Sequence, residues 1–282
     1  MSEADDGSLA SLASLHAVAA DPWAELRRHT PARIALGRAG SSLPTAELLR
    51  FNAAHAQARD AVHLPLDSAT LAADLAAAGF ATLQVRSQAS HREQYLRRPD
   101  LGRRLDAASA ACLLDARRGL GLQPMEQPVD LLFDLTIVLA DGLSAQATQR
   151  HALPLLLALR AALGLGSGQV PTLTLAPLVI AEQARVALAD EVGALLQTRV
   201  VLILLGERPG LSSPDSLGAY LTHAPAIGLT DAMRNCVSNI RPAGLPYAQA
   251  AQRIAWLLHE SLRRRLSGVA LKDDSGSELL TG

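Results

Sequence analysis

The chain has 282 residues, 49% of them hydrophobic and 19% charged, with a formal net charge of −1 and an isoelectric point of about 6.7. That length supports a full core in one large domain or two modest ones, and near-neutral charge provides no global field to draw in a nucleic acid. Two cysteines, Cys112 and Cys236, exclude a disulfide framework and a paired-cysteine zinc signature, which fits a reducing cytoplasm, and no apolar stretch reaches the ~18 residues of a membrane-spanning helix.

Residues 1–20 begin with acidic side chains, without the basic start of a secretory signal. They read as a flexible N-terminal extension. Leu9, Leu12, Leu15 and Val18 recur every third residue, so the sharper alternative is a docking helix for a partner or shell protein.

Residues 21–118 read as a mainly helical region. Asp21-Pro22 opens one helix with a cap and a first-turn proline. Pro44-Thr45 opens a second, running through Leu48, Leu49, Phe51 and His55. Asp67-Ser68 opens a third, with Leu71, Leu75 and Ala78 on one face and Gly79 as its stop. Thr82–Arg86 alternates like a short strand, and a helix from about Arg103 to Arg118 follows, with Cys112 on its apolar side.

Residues 119–128, rich in Gly and Pro, read as a linker, and the rhythm then changes. Val129–Ala140 is an apolar run that meets the turn signal Asp141-Gly142, and Ala145–Leu163 is helical. A β-rich run, Leu173–Ile180, precedes a helix over Ala181–Leu196. Val200–Leu205 holds only Val, Leu and Ile and ends at Gly206, which marks a buried strand. The runs near Ala219–His223 and Cys236–Ile240 add further candidate strands, and a last helix covers about Pro246–Leu266. Strands alternating with helices predict an α/β chain: a helical N-terminal region, then over 129–282 a Rossmann-like, mostly parallel sheet. Ligands of such sheets sit beyond the carboxyl ends of the strands, which singles out Asp141–Ser144 and Gly206–Gly210.

At the second loop, Gly206 lets backbone approach a ligand closely, Pro209 stiffens the turn, and the Glu207 carboxylate can accept hydrogen bonds from amides or hydroxyls. The plain alternative is that Glu207 and Arg208 form an ion pair or satisfy loop backbone. At the first loop, Asp141-Gly142 makes a turn and Ser144 caps the next helix, needing no ligand. Cys236 is a lone cysteine without a spaced His/Asp set to activate it, so it reads as a small apolar residue. The histidines form no H-x-x-H or H-E-x-x-H string, and neither G-x-G-x-x-G nor a Walker P-loop is present. A protein-built zinc site and ordinary dinucleotide or ATP chemistry are thus disfavoured. Arginine groups at 97–98, 103–104 and 263–265 read as solvated helix faces.

Several strings in one order go further. Asp21-Pro22-Trp23-Ala24-Glu25-Leu26-Arg27-Arg28, Gly37-Arg38-Ala39-Gly40, Arg97-Arg98-Pro99-Asp100-Leu101-Gly102-Arg103-Arg104-Leu105, Ala140–Ser144, Gly206–Leu211 and Cys236–Ile240 resemble the small subunit of ethanolamine ammonia-lyase over about Asp21–Gly268. The resemblance implies one half of an adenosylcobalamin-dependent lyase that converts ethanolamine to acetaldehyde and ammonia by radical chemistry. It implies a large TIM-barrel subunit as partner, with the cofactor between the two, and a hexamer of large–small pairs. It also implies a cytoplasmic setting, often within a bacterial microcompartment. Carried over by position, the cofactor contacts fall on Val186, placed on a helix, and on Glu207 and Cys236, with no catalytic residue and no protein metal ligand on this chain. Because no D-x-H-x-x-G string is present, the resemblance implies base-on cobalamin, with dimethylbenzimidazole under the cobalt. Two rival readings are a stand-alone α/β hydrolase or transferase and a non-enzymatic scaffold for a large partner.

Overall fold

The computed structural model describes residues 21–30, 32–119, 131–165 and 173–275. The expected extension 1–20 and all but the first residue of the expected linker 119–128 lie outside the described residues. The chain forms two compact units, one of residues up to Ala58 with Gly210–Ser212, the other of Arg59–Pro209 with Ser213–Gly282.

In the first unit the helix expected after Asp21-Pro22 is a single 3₁₀ stretch, Ala24–Arg28, none of it buried. With no apolar face to pack, nothing carries it past the costly nucleus of an α-helix. Helix α1 (Thr45–His63) begins where expected, with the N–H groups of Glu47 and Leu48 bonded to the Pro44 carbonyl. Glu47 draws in Arg27 at 3.2 Å and Arg50 at 2.5 Å.

The second unit is a layered α/β structure. Helix α2 (Ser68–Ala77) is capped by Asp67, which accepts from the Thr70 N–H. It leads to strand β1 (Thr82–Arg86), a short helix α3 (Arg92–Arg97) and helix α4 (Ala107–Gly119). Strand β2 (Phe133–Ala140), helix α5 (Ala145–Ala162), strand β3 (Leu178–Glu182), helix α6 (Leu188–Leu195) and strand β4 (Thr198–Gly206) then alternate. Strands β5 (Leu217–His223) and β6 (Arg234–Ile240) and helix α7 (Tyr247–Arg264) complete the order.

Among the described residues these strands make one six-stranded sheet, ordered β1-β3-β2-β4-β5-β6. The pairs β1/β3, β3/β2 and β2/β4 are parallel, whereas β4/β5 and β5/β6 are antiparallel. The sheet is thus mostly parallel, as expected, with an antiparallel edge. Strand β4 shows why it lies at the centre. Val200, Leu202 and Leu204 pack in one cluster with α2, α5 and α7, while Val201, Ile203 and Leu205 pack in the other with α4 and α6. The two-residue period of a strand puts both sets out of water, which demands an unbroken apolar run.

Three expectations are corrected here. The helix expected from Arg103 begins only at Ala107, because Asp106 caps it through the Ser109 N–H at 2.7 Å; Leu101–Arg103 is a separate 3₁₀ turn. Cys112 is exposed, since α4 buries Ser109 and Leu113 instead. The helix expected over Ala181–Leu196 is split: Ala181 and Glu182 finish β3 beside β1, a turn follows, and α6 starts at Leu188.

Candidate functional site

Strand β2 has β3 on one side and β4 on the other, so the chain leaving β2 goes one way for β3 and crosses back for β4. Beyond the carboxyl ends of β2 and β4 lies the crevice where such sheets take ligands. Both loops singled out from sequence emerge there.

The two loops touch backbone to backbone. Leu143 N–H donates to the Gly206 carbonyl at 2.9 Å. A Cβ on Gly206 would come 1.8 Å from the Ser144 carbonyl oxygen, and one on Gly142, whose φ is +56°, would come 2.1 Å from the Gly206 oxygen. Glycine is required at Gly206 for the approach of this neighbouring loop, where the sequence reading gave a ligand as the reason. Ser144 precedes α5 but makes no side-chain cap; its hydroxyl donates to the Pro214 carbonyl at 2.8 Å instead.

Asp141 is 1% exposed. Its Oδ2 accepts from Arg92 Nη1 at 3.1 Å and from the Gln183 N–H at 2.9 Å, and its Oδ1 accepts from the Ala184 N–H at 2.9 Å. Burial pushes the carboxyl up to about 6, against the opposing pull of Arg92 and the backbone donors. The Arg92 and Arg185 guanidinium groups both lie over the ring of Tyr95, 4.8 and 4.3 Å from its centroid. A side chain on Gly102 would collide with that stack, at 2.9 Å from Arg185 and 3.0 Å from Tyr95.

A trough of about 440 Å³ opens at this end of the sheet, lined by the apolar Leu143, Val186 and Leu205, by Arg185 and Arg208, and by Glu207 and Tyr220. Glu207 fixes one side of its carboxylate, with Oε2 accepting from Ser216 Oγ at 2.7 Å and from the Asn239 N–H at 3.3 Å. No donor among the described residues is bonded to Oε1. The alternatives weighed for Glu207 thus resolve partly: it satisfies loop backbone at Asn239 and makes no ion pair with Arg208, whose side chain is exposed.

Tyr220 and Cys236 are cross-strand partners on β5 and β6. The protein around the Cys236 sulfur and the nearby Glu207 charge push the thiol up, against an opposing influence of Tyr220, so Cys236 is a neutral thiol at pH 7. Tyr220 is raised in turn, chiefly by burial.

Of the residues singled out from sequence, Glu207 and Val186 therefore border one trough, and Cys236 joins through Tyr220. Val186 sits in the turn before α6 and not on a helix, because β3 runs on through Glu182. It also borders a second cleft of about 620 Å³, shared with Arg103, Arg104 and Ile227. Tyr95, Arg185 and Tyr220 were not singled out. Gly102 in the Arg-Pro-Asp-Leu-Gly string was the available signal for the first two, while nothing in the local sequence marks Tyr220.

The site is thus a trough with one half-satisfied carboxylate at the switch point of a mostly parallel α/β sheet. Among the described residues no pair of activated nucleophile and base lines the trough. Residues 20–272 match the family described as ethanolamine ammonia-lyase light chain. The ethanolamine ammonia-lyase small subunit of Azotobacter vinelandii is 56% identical over 264 residues, covering 93% of this chain and 92% of that protein. Those of Ralstonia nicotianae and Pseudomonas syringae pv. tomato are 55% and 53% identical, covering 93% and 92% of this chain and 92% and 86% of theirs. The chain belongs to the ethanolamine ammonia-lyase light-chain family and is a component of a lyase, which sets aside the stand-alone hydrolase or transferase.

Proposed function

We propose that this chain holds adenosylcobalamin against a large catalytic subunit of ethanolamine ammonia-lyase, with Val186, Glu207 and Cys236 among its contacts. The observation that carries the reading is the half-satisfied Glu207 carboxylate at the switch point. Two internal donors fix Oε2, while Oε1 is left for amide or hydroxyl donors of a ligand. A corrin carries an apolar ring edge and amide side chains, and the trough offers Leu143, Val186 and Leu205 for the one and Glu207 for the other. The residues present fit the group.

When bound, the cofactor supplies the radical chemistry that turns ethanolamine into acetaldehyde and ammonia. The residues of this chain bind, orient and exclude water. Glu207 accepts hydrogen bonds, the apolar walls keep solvent from one side, and Cys236 stays protonated and makes no nucleophile. Substrate-transforming groups then belong to the large subunit, in a hexamer of large–small pairs. The absence of a D-x-H-x-x-G string from this chain supports a base-on cofactor as part of the proposal. Among the described residues no helix is long and apolar enough to cross a membrane. The setting we propose is the cytoplasm, with a microcompartment as a further possibility that residues 1–20 would serve.

Co-expression with a large subunit, followed by assay with ethanolamine and adenosylcobalamin, tests this. Ammonia release by the pair and by neither chain alone is expected. Release by this chain alone would overturn the division of labour, and an active large subunit that needs no partner would overturn the holding role.

A further inference from the structure

In the turn between β3 and α6, Gln183 and Ala184 are held by side chains from elsewhere, and the next N–H, that of Arg185, donates to the Gly102 carbonyl at 2.7 Å. Gln183 lies in the left-handed region, φ +55°, which a non-glycine side chain adopts only under constraint. Its N–H donates to Asp141 Oδ2 at 2.9 Å and its carbonyl accepts from Ser87 Oγ at 2.7 Å. At Ala184 the N–H donates to Asp141 Oδ1 at 2.9 Å and the carbonyl accepts from the Tyr95 hydroxyl at 3.1 Å. Ser87 and Asp141 are 1% exposed and Tyr95 is fully buried. The four backbone polar groups of these two residues thus go to buried side chains at the end of β1, the end of β2 and on α3, whereas a helix continuing from Ala181 would satisfy its own backbone. Beyond this turn the chain delivers Arg185 and Val186, the two residues shared by the trough and the cleft.

We propose that Asp141 is a positioning residue: with Ser87 and Tyr95 it locks the left-handed Gln183–Ala184 turn, and so fixes where Val186 and Arg185 meet the cofactor. This rests on the proposed cofactor reading. An asparagine at Asp141 offers one acceptor and an amide donor where the carboxylate serves three donors. It leaves Gln183, Ala184 or Arg92 unpaired and frees the turn to relax.

The test uses the co-expressed large–small complex, with adenosylcobalamin retention measured by ultrafiltration and visible absorption. Asp141→Asn is expected to weaken retention about tenfold, within the range of couplings between residues in contact. The decisive readout is a pair of double-mutant cycles. The factor lost on Val186→Ala should shrink about threefold or more in the Asp141→Asn background, because the turn no longer presents that side chain, while the factor lost on Glu207→Ala should stay the same. A merely structural role would leave both factors unchanged, and that result overturns the proposal. Ser87→Ala, which removes the donor to the Gln183 carbonyl and the acceptor of the Ala89 N–H but leaves Asp141 in place, should reproduce the pattern at smaller amplitude. If Asp141→Asn does not assemble, an unchanged Val186 factor in Ser87→Ala overturns the proposal by itself. If Glu207→Ala weakens retention but Asp141→Asn does not, the positioning role alone falls. If neither Glu207→Ala nor Val186→Ala weakens it, the cofactor reading falls and the positioning role with it.

Discussion

Replacing Gly206 by alanine probes the contact on which the site's geometry depends. The new Cβ would lie 1.8 Å from the Ser144 oxygen, 2.5 Å from the Ser144 carbonyl carbon and 2.9 Å from the Asp141 oxygen. Comfortable separation between such atoms is about 3.5 Å, and all three are backbone atoms, so no rotamer change relieves the overlap. The end of β4 and the 141–144 loop must part by more than 1 Å, and the Leu143 N–H to Gly206 bond at 2.9 Å lies in the path. Overpacking of this kind costs about 1–3 kcal/mol, and the strained or lost hydrogen bond adds about 1 kcal/mol, for a total of roughly 2–4 kcal/mol. For a unit of this size that is a Tm lower by roughly 4–16 °C. Thermal unfolding followed by circular dichroism measures it. Gly218→Ala is the control, since its Cβ would meet the Glu207 carboxylate at 2.8 Å and the Tyr220 ring at 3.0 Å, both side-chain ends that can move. It should perturb the trough while costing less stability. If Gly206→Ala unfolds within about 1 kcal/mol of the wild type, the interlock of the two loops is not the constraint described above.

Arg234→Ala strips the partner from Asp190 in a pair whose side chains are each 2% exposed. It should cost about 3–5 kcal/mol in urea unfolding, and a loss under about 1 kcal/mol would contradict the pairing. Asp141 has a folded pKa of about 6, above the ordinary 3.8, so the part of its stability that is linked to protonation is full below about pH 3.8 and lost as pH rises through about 6, while the carboxylate keeps its contacts to Arg92, Gln183 and Ala184. The stability of wild type relative to Asp141→Asn should therefore fall by about 3 kcal/mol between about pH 3 and pH 8, and a flat difference would refute burial as the governing cause. Leu204→Ala, at a fully buried site in the central strand, should cost about 2–5 kcal/mol.

The sequence announces most clearly what a single element decides alone. Val200–Leu205 had to be a buried strand because no face of it is polar, and Asp67-Ser68 had to start a helix because the aspartate can cap it. Elements decided by distant groups were not legible. Ala181-Glu182-Gln183 carries residues with fair helix propensity, and sequence reasoning extended a helix through them. In the fold, Ala181 and Glu182 pair with Val85 and Arg86 on β1, and Gln183 is held left-handed by Asp141 and Ser87. Tertiary partners from about 40 and 100 positions away override local preference. Helix α3, Arg-Glu-Gln-Tyr-Leu-Arg, went unread because it is short and buries only Tyr95. The site shows the same division. Glu207 was visible as the end of an unmistakable strand, whereas Tyr220 enters only through cross-strand pairing with Cys236, a register that neither segment's own pattern sets.

The central claim is that Glu207 holds a cofactor and does not perform the reaction. The most direct measurement is adenosylcobalamin retention by the assembled large–small complex carrying Glu207→Ala, with subunit assembly followed in parallel by gel filtration. The account predicts an intact complex that loses cobalamin more readily and recovers its turnover when excess cofactor is supplied. Normal retention in the intact complex would contradict it and leave a scaffold in its place, and lost turnover that excess cofactor does not restore would make Glu207 part of the chemistry.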